Sequence, residues 1–171
     1  MPDIKPILAL LNETRTGLLA VAEAIPPDVW ARAPKDSWSA ADVVSHLTTV
    51  ETAITDGCAK VIRSEPRRIP FWRKLHPPVA VVRWRFPRLK TPLPLDGKLV
   101  GKKEEMLARL REARTRTLVF LEETAGRDLR AYYFPHPFFG PLNFYTWFRL
   151  MAHHEVRHTK QIREIVEFFQ K

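Results

Sequence analysis

Two histidines near the end of the sequence have the spacing of a metal-binding pair. His154 and His158 lie four residues apart in a segment, 143–170, that contains neither Gly nor Pro, so nothing in its composition interrupts a helix. Residues at i and i+4 share one helix face, and two imidazoles placed in this way can bind a single metal ion. The alternative is that both rings are core side chains, each hydrogen-bonded to a backbone carbonyl.

The amphipathic pattern of this segment places the pair on the face that must be buried. At 100° per residue, the two histidines share a stripe with the apolar side chains of Phe144, Trp147, Met151, Ile162, Ile165 and Phe169. Arg157 and Gln161 lie beside the stripe, where they could orient the histidines or tie the helix to a neighbour. His153 is rotated by a full 100° and is a poor third ligand.

His46 is the candidate for the third ligand, because a catalytic metal site needs three protein ligands and an open position. It lies in a predicted helix, 39–61, that begins with a Ser-x-x-Asp capping box. Ala53 and Gly57 fall on the same side as the imidazole, which predicts free space in front of it. Glu51 is about 140° round the helix from His46 and reaches only the margin of such a site.

Three neutral imidazoles suit a divalent transition metal such as Zn²⁺, Ni²⁺ or Fe²⁺, and the ligands alone do not distinguish among these ions. Such an ion lowers the pKa of a coordinated water or thiol, which leaves two reaction classes: hydrolysis, and transfer of a thiol to an electrophile. Cys58 lies about 120° round the helix from His46. We therefore expect the thiol to come from a small cosubstrate, whose carboxylates Arg15 or Arg157 could bind.

The stretch His-Glu-Val-Arg-His at 154–158 also matches the H-E-x-x-H motif of zinc peptidases. In those enzymes the glutamate activates water and a third ligand comes later in the chain. The thirteen residues that follow His158 contain no histidine, and the chain has no predicted sheet. Both observations argue against a peptidase.

The helical segments predict an all-α protein, a four-helix bundle formed by a single domain over residues 1–171. Apolar spacing predicts a short helix or turn over 27–33 and four long helices, over 3–24, 39–61, 103–124 and 143–170. No segment has the alternating pattern of a half-buried strand, so residues 127–141 are predicted to form an aromatic loop. Arg15, on the inner stripe of the first helix, either extends its guanidinium to the rim or faces an anion in a central cleft.

Residues 63–96 form a long, proline-rich connection that carries most of the net charge. Between residues 63 and 90 there are nine Lys or Arg and one Glu, which gives +8 of the +9 of the whole chain. The aromatic residues of this stretch are Phe71, Trp72, Trp84 and Phe86. We expect an extended crossing that packs its aromatic side chains on the bundle and exposes its arginines. Binding to an anionic membrane surface or to nucleic acid is the functional alternative.

The composition is that of an ordinary globular protein in a reducing compartment. Hydrophobic residues make up 45% and charged residues 27% of the chain, with one cysteine. The first residues lack the basic flank and apolar core of a signal peptide, and no segment is long and apolar enough to span a bilayer. These features predict a cytoplasmic protein without a transmembrane segment.

Several stretches of the sequence resemble the DinB/YfiT-like superfamily of metal-binding four-helix bundles. Residues 38–47, followed by Glu51, resemble the start of the second helix in that family. Residues 136–142, followed by Trp147 and by 152–161, resemble its closing segment. The resemblance covers the chain except for the basic connection, which is longer and more basic than the corresponding part of typical members.

This resemblance implies a metal held by three histidines, which here fall on His46, His154 and His158. It also implies a dimer, and thiol chemistry of the kind that family members perform with mycothiol, bacillithiol or glutathione. Together, the residues and the resemblance predict a metal-dependent enzyme, in the first place a low-molecular-weight-thiol S-transferase. A metal-dependent hydrolase and a non-enzymatic scaffold, whose basic connection binds an anionic partner, are the alternatives.

Overall fold

A computed structural model describes residues 3–84 and 101–171 of the chain, and its long helices form the predicted four-helix bundle. The helices of these ranges are α1 (Lys5–Glu23), the short α2 (Pro27–Trp30), α3 (Ala40–Val61), α4 (Lys103–Glu123) and α5 (Phe144–Gln170). Helix α1 packs on α5, α3 packs on α4, and α3 also contacts α5. Within the described ranges, no helix is long and apolar enough to cross a bilayer.

Side-chain caps fix where the two histidine-bearing helices begin. The Ser39 hydroxyl accepts a hydrogen bond from the backbone N–H of Asp42 at 3.1 Å, and the Asp42 carboxylate accepts one from the Ser39 N–H at 3.0 Å. This is the predicted capping box of α3. At the start of α5, Asn143 Oδ1 accepts from the N–H of Thr146 at 3.0 Å. These bonds satisfy backbone donors that have no partner within the helix.

The predicted aromatic loop over residues 127–141 contains a β-hairpin, so the expectation of no strand was wrong here. Strands β1 (Tyr133–His136) and β2 (Gly140–Asn143) pair antiparallel. Each strand has only four residues, which is too short for an alternating pattern to be visible in the sequence. In addition, Pro135 and Pro141 face each other in the register, and proline is normally a signal against strands.

The described part of the basic connection, residues 63–84, contains two 3₁₀ turns, Phe71–Lys74 and Val79–Arg83. The first turn packs on β2 and the second on α5. The expected packing of the aromatic side chains was wrong for Trp72 and Trp84, which are 71% and 66% exposed. A single 3₁₀ turn offers only one side to the bundle, and the second turn uses that side to bury Val79. Residues 85–96 of the connection, with Phe86, lie outside the described residues.

One charged residue from each long helix meets the others in a buried cluster: Arg15 of α1, Glu51 of α3, Arg114 of α4 and Glu155 of α5. All four are at most 5% exposed. Arg15 donates from Nε to Glu155 at 2.6 Å and from Nη2 to Glu51. Arg114 donates from Nε to Glu51 at 2.7 Å and from Nη2 to Glu155 at 3.1 Å. Each cation therefore bridges both anions, and the four charges cancel.

Neighbouring groups satisfy the remaining polar atoms of this ion cluster. The two arginines donate to the backbone carbonyls of Leu110 and Leu11. The hydroxyl of Thr14 donates to one glutamate at 2.7 Å, and that of Thr117 donates to the other at 2.9 Å. Burial acts to raise the pKa of Glu51, but the charges of Arg114 and Arg15, with hydrogen bonds from Arg114 and Thr117, outweigh it, and the pKa lies below its usual value. The glutamate is therefore ionised in the folded protein.

Glu51→Gln should destabilise the bundle by about 3 kcal/mol or more, because removing one member of a buried ion pair leaves the opposite charge uncompensated. Urea denaturation measures this loss. The matched control is Glu23→Gln, since Glu23 pairs with Arg111 at the surface, where the two side chains are about half exposed, and should cost less than about 1 kcal/mol. Equal losses in the two variants would contradict a structural role for the cluster.

The same variant gives a pH dependence whose sign follows from the lowered pKa. A carboxyl whose pKa is lower in the folded than in the unfolded chain stabilises the fold at pH values above its pKa in the unfolded chain. This contribution is lost as the pH falls through its pKa in the folded chain. The stability difference between the natural protein and Glu51→Gln should therefore be constant at neutral pH and shrink below the ordinary value of 4.5.

Candidate metal centre

The three histidines predicted as ligands lie together between α3 and α5. The Nε2 atom of His154 is 3.4 Å from that of His46 and 3.0 Å from that of His158. One ring nitrogen from each residue lies within 4.8 Å of the other two. His46 and His158 are buried and His154 is half-buried. The bundle thus converts an i, i+4 pair and a distant third histidine into one group of converging donor atoms.

The separations between the nitrogens fit a shared metal ion. Imidazole nitrogens bind Zn²⁺ at about 2.0–2.1 Å. Two such nitrogens with an angle of about 90–110° at the ion would stand roughly 3.0–3.4 Å apart, given that bond length. Two of the separations, 3.0 and 3.4 Å, match this range, and all three donor atoms lie within 4.8 Å of one another. The three histidines could therefore hold a metal ion.

The protonation of the rings also suits metal binding. Burial lowers the pKa of His46 to about 4 and, with smaller contributions from neighbouring charges, that of His154 to about 3. The pKa of His158 is also far below its usual value, mainly because of burial. Gln161 Oε1 lies 2.8 Å from His158 Nδ1. Because a carbonyl oxygen only accepts, Nδ1 must carry the proton, which leaves the lone pair of Nε2 free for a ligand bond.

Trp38 closes one side of the histidine group. Its ring is nearly parallel to that of His158, with an interplanar angle of 7° and a centroid distance of 6.1 Å. It also contacts the ring of His46, at a centroid distance of 5.0 Å. The indole is half-buried and immediately precedes Ser39, the N-cap of α3. The capping box therefore positions the aromatic wall together with the helix that carries His46.

The space predicted beside Gly57 is occupied by the hairpin. A Cβ on Gly57 would lie 2.4 Å from Cζ of Phe134, so the ring of Phe134 takes the place that a side chain would fill. The indole N–H of Trp147 donates to the carbonyl of Phe134 at 2.7 Å, which ties the hairpin to α5. The small residue on α3 thus admits an aromatic ring of this protein, and the sequence-based expectation of open space was wrong at that position.

A fourth histidine, His136, belongs to the surroundings of the site, although the sequence analysis noted it only as part of a motif. Its Nδ1 accepts hydrogen bonds from the backbone N–H groups of Phe138 and Phe139 at 3.0 and 3.2 Å. Burial lowers its pKa to about 4, so the ring is neutral and carries its proton on Nε2. His136 also contributes to the lowered pKa of His154. Its ring also contacts that of Trp147 on α5, at a centroid distance of 4.9 Å.

The other predicted site residues divide into two groups. Gln161 contacts His158, and the positive charge of Arg157 contributes to the lowered pKa values of His154 and His158. Arg15 and Glu51, in contrast, direct their charged atoms into the ion cluster. Arg15 does face an anion, as one of its two interpretations proposed, but the anions are two carboxylates of the protein itself.

The glutamate of the H-E-x-x-H motif also belongs to the ion cluster. Glu155 is 1% exposed, and its two oxygens accept from Arg15, Arg114 and Thr14. It is not available to activate water in the manner of a zinc peptidase. The sequence analysis did not find the roles of Glu155 and Arg114. The signal for the arginine was present, because it lies four residues after Leu110 and three before Thr117, on the inner stripe of α4.

Comparisons with known proteins agree with this architecture. A model of the DinB superfamily matches residues 10–162. The uncharacterized protein YuaE of Bacillus subtilis (strain 168) is 25% identical over 166 residues, which are 94% of this chain and 97% of YuaE. The four-helix bundle protein TT2238 is 26% identical, with a TM-score of 0.62 over 95% of this chain and 99% of its own.

A second solved structure shares the fold at lower identity. YfiT from Bacillus subtilis, described as a probable metal-dependent hydrolase with an unusual four-helix bundle topology, has a TM-score of 0.67. It is 16% identical, and the match covers 96% of this chain and 86% of YfiT. The likeness to YfiT shows the bundle architecture.

Proposed function

The chain belongs to the DinB superfamily, and on that premise we propose that it binds one divalent transition metal through His46, His154 and His158. The observation that carries the proposal is the convergence of three Nε2 atoms at separations of 3.0 and 3.4 Å on rings that are neutral. Neutral imidazoles suit Zn²⁺, Ni²⁺ and Fe²⁺. An ion held in this way keeps its double positive charge and supplies Lewis-acid chemistry, lowering the pKa of a water or thiol that coordinates it.

For the reaction class, we propose transfer of a low-molecular-weight thiol to an electrophile. To ionise at neutral pH, water must have its pKa lowered from about 15.7, whereas a thiol starts from about 8.5. Water also usually needs a general base. Glu51 and Glu155, five residues from His46 and next to His154 in the chain, are bound to arginines. Asp42, four residues before His46, accepts from the Ser39 N–H in the capping box of α3. The surroundings therefore favour the thiol as the nucleophile.

The residues around the histidines have roles in this reaction. Arg157 offers a positive charge for the carboxylates that small cellular thiols carry. Cys58 does not supply the sulfur, because it is buried and burial raises its pKa to about 12. The thiol therefore comes from a cosubstrate, whose sulfur bonds to the electrophilic carbon as its proton passes to solvent and the leaving group departs.

Two expectations from the sequence accompany this proposal. We propose that the protein is cytoplasmic, where low-molecular-weight thiols are abundant and reduced, and that it forms a homodimer, which light scattering tests. The hydrolase and scaffold alternatives are outcomes of the assays below.

The purified protein should bind about one Zn²⁺, Ni²⁺ or Fe²⁺ per chain, and His158→Ala should abolish binding, because the site would lose one of three ligands. Metal analysis after dialysis measures the content, and thermal unfolding should show the bound form to be more stable. His153→Ala is the matched control, since this histidine adjoins the ligands but is not among the converging donors. A natural protein that binds no metal and melts unchanged would contradict the proposal.

Gln161→Leu should weaken metal binding by about tenfold to a hundredfold while leaving one site per chain. The variant removes the acceptor that holds the His158 proton on Nδ1 but keeps the volume of the side chain. Competition with a chromogenic chelator measures the affinity. An unchanged affinity would mean that the hydrogen bond does not orient the ligand.

The metal-loaded protein should accelerate conjugation of a small thiol to an electrophile, and His154→Ala should be inactive. A panel of glutathione, cysteine and related thiols with alkyl and aryl halides measures the rate. Ester or amide hydrolysis without thiol transfer would favour the hydrolase. Metal binding without either activity would favour the scaffold.

A further inference from the structure

Two large apolar side chains near the first 3₁₀ turn of the basic connection are exposed to solvent. Trp72 and Leu75 are 71% and 64% exposed. They belong to the first 3₁₀ turn and its end, where the N–H of Leu75 donates to the carbonyl of Trp72 at 3.3 Å. Leu75 follows the turn directly in extended backbone, so the two side chains lie three residues apart, and both are mostly exposed.

The chain on both sides of this turn is attached to the bundle. Before it, the N–H of Arg67 donates to the carbonyl of Ala131 at 3.0 Å, and the guanidinium of Arg127 donates to the carbonyl of Ile62 at 2.8 Å. After it, Val79 is buried in the main apolar core. The turn itself packs on β2. The two apolar side chains are thus presented at a fixed place on the molecule.

Positive charge surrounds the projecting pair. Among the residues of 63–84 whose exposure is described, five arginines are exposed, Arg63, Arg67, Arg68, Arg73 and Arg83, and Glu65 is the one acid in the sequence of that stretch. The adjoining hairpin adds a further exposed ring, Phe138, which is 59% exposed in the turn between β1 and β2. Apolar groups flanked by arginines thus occupy the end of the bundle where the first 3₁₀ turn packs on β2.

We propose that this surface, consisting of Trp72, Leu75, Arg67, Arg68 and Arg73, binds an anionic lipid bilayer. An indole is most stable at the boundary between headgroups and acyl chains, and leucine contributes apolar area that the bilayer removes from water. Guanidinium groups donate to lipid phosphates, often in pairs of hydrogen bonds. The charge of the surface is complementary to that of an anionic membrane. This inference is independent of the metal centre.

The same observations argue against two other partners. Single-stranded nucleic acid would need ring platforms on which successive bases stack, whereas the exposed pair on this turn combines one ring, that of Trp72, with the aliphatic side chain of Leu75. A second copy of this chain would place arginines opposite arginines across a symmetric contact, which costs free energy because like charges repel.

The test is co-sedimentation of the full-length protein with vesicles of phosphatidylcholine and phosphatidylglycerol in equal parts. We expect binding at low salt that falls steeply as salt rises, and about a tenfold or greater loss of binding for the double variant Trp72→Ser, Leu75→Ser. Phe168→Ser is the matched control, because Phe168 is 57% exposed near the end of α5. Its binding should equal that of the natural protein.

A second measurement locates the contact. Vesicles containing brominated phosphatidylcholine quench tryptophans that enter the bilayer, so they should quench the natural protein and should lose that effect on Trp72→Phe, which keeps an apolar ring and should still sediment. Equal binding to vesicles of phosphatidylcholine alone, or binding unchanged in the double variant, would overturn the proposal. The proposal would also be overturned if the natural protein did not bind vesicles but bound an oligonucleotide, or associated with itself without lipid, and the double variant lost that binding.

Discussion

The cluster of Arg15, Glu51, Arg114 and Glu155 is the interaction on which the rest of the bundle depends. Each long helix contributes one charge, and each arginine reaches both glutamates. Buried charges are tolerated only when paired and hydrogen-bonded, so a helix that rotated or slid by one residue would leave a charge without its partner. The cluster therefore selects one rotation and one register for all four helices, which apolar packing alone specifies less sharply.

This constraint reaches the histidines through the chain itself. Glu155 directly follows His154, and consecutive helical residues point about 100° apart. When the carboxylate faces the arginines, the preceding imidazole must face α3. Glu51 fixes α3 in the same way, five residues after His46. In a peptidase, the glutamate of H-E-x-x-H acts as the general base on the substrate. In this protein Glu155 instead pairs with Arg15 and Arg114 of the neighbouring helices. One sequence motif thus serves two different structural purposes.

The sequence predicted what depends on periodicity within a helix: the long helices, the capping box of α3 and the inward faces of the three histidines. It did not predict the contacts between segments that are distant in the chain, because these depend on which helices become neighbours. The role of Arg114 was not predicted, because its two partners lie on helices distant in the chain. The same holds for Phe134, whose ring fills the place beside Gly57, and for the hairpin, since cross-strand pairing leaves little trace in four-residue strands. The exposed Trp72 could not be inferred, because the rule that aromatic residues are buried has exceptions at contact surfaces.

All four long helices contribute to the ion cluster, but only α3 and α5 carry the three histidines, and this difference affects how the protein can evolve. Helices α1 and α4 supply both arginines of the ion cluster and none of the converging imidazoles. The charges that specify the packing and the three imidazoles thus belong to different side chains of α3 and α5. Replacing an imidazole with a carboxylate or a thiolate would change the ligand set offered to a metal ion and leave the four charges of the cluster in place. The bundle can therefore keep its packing while the side chains of the histidine group change.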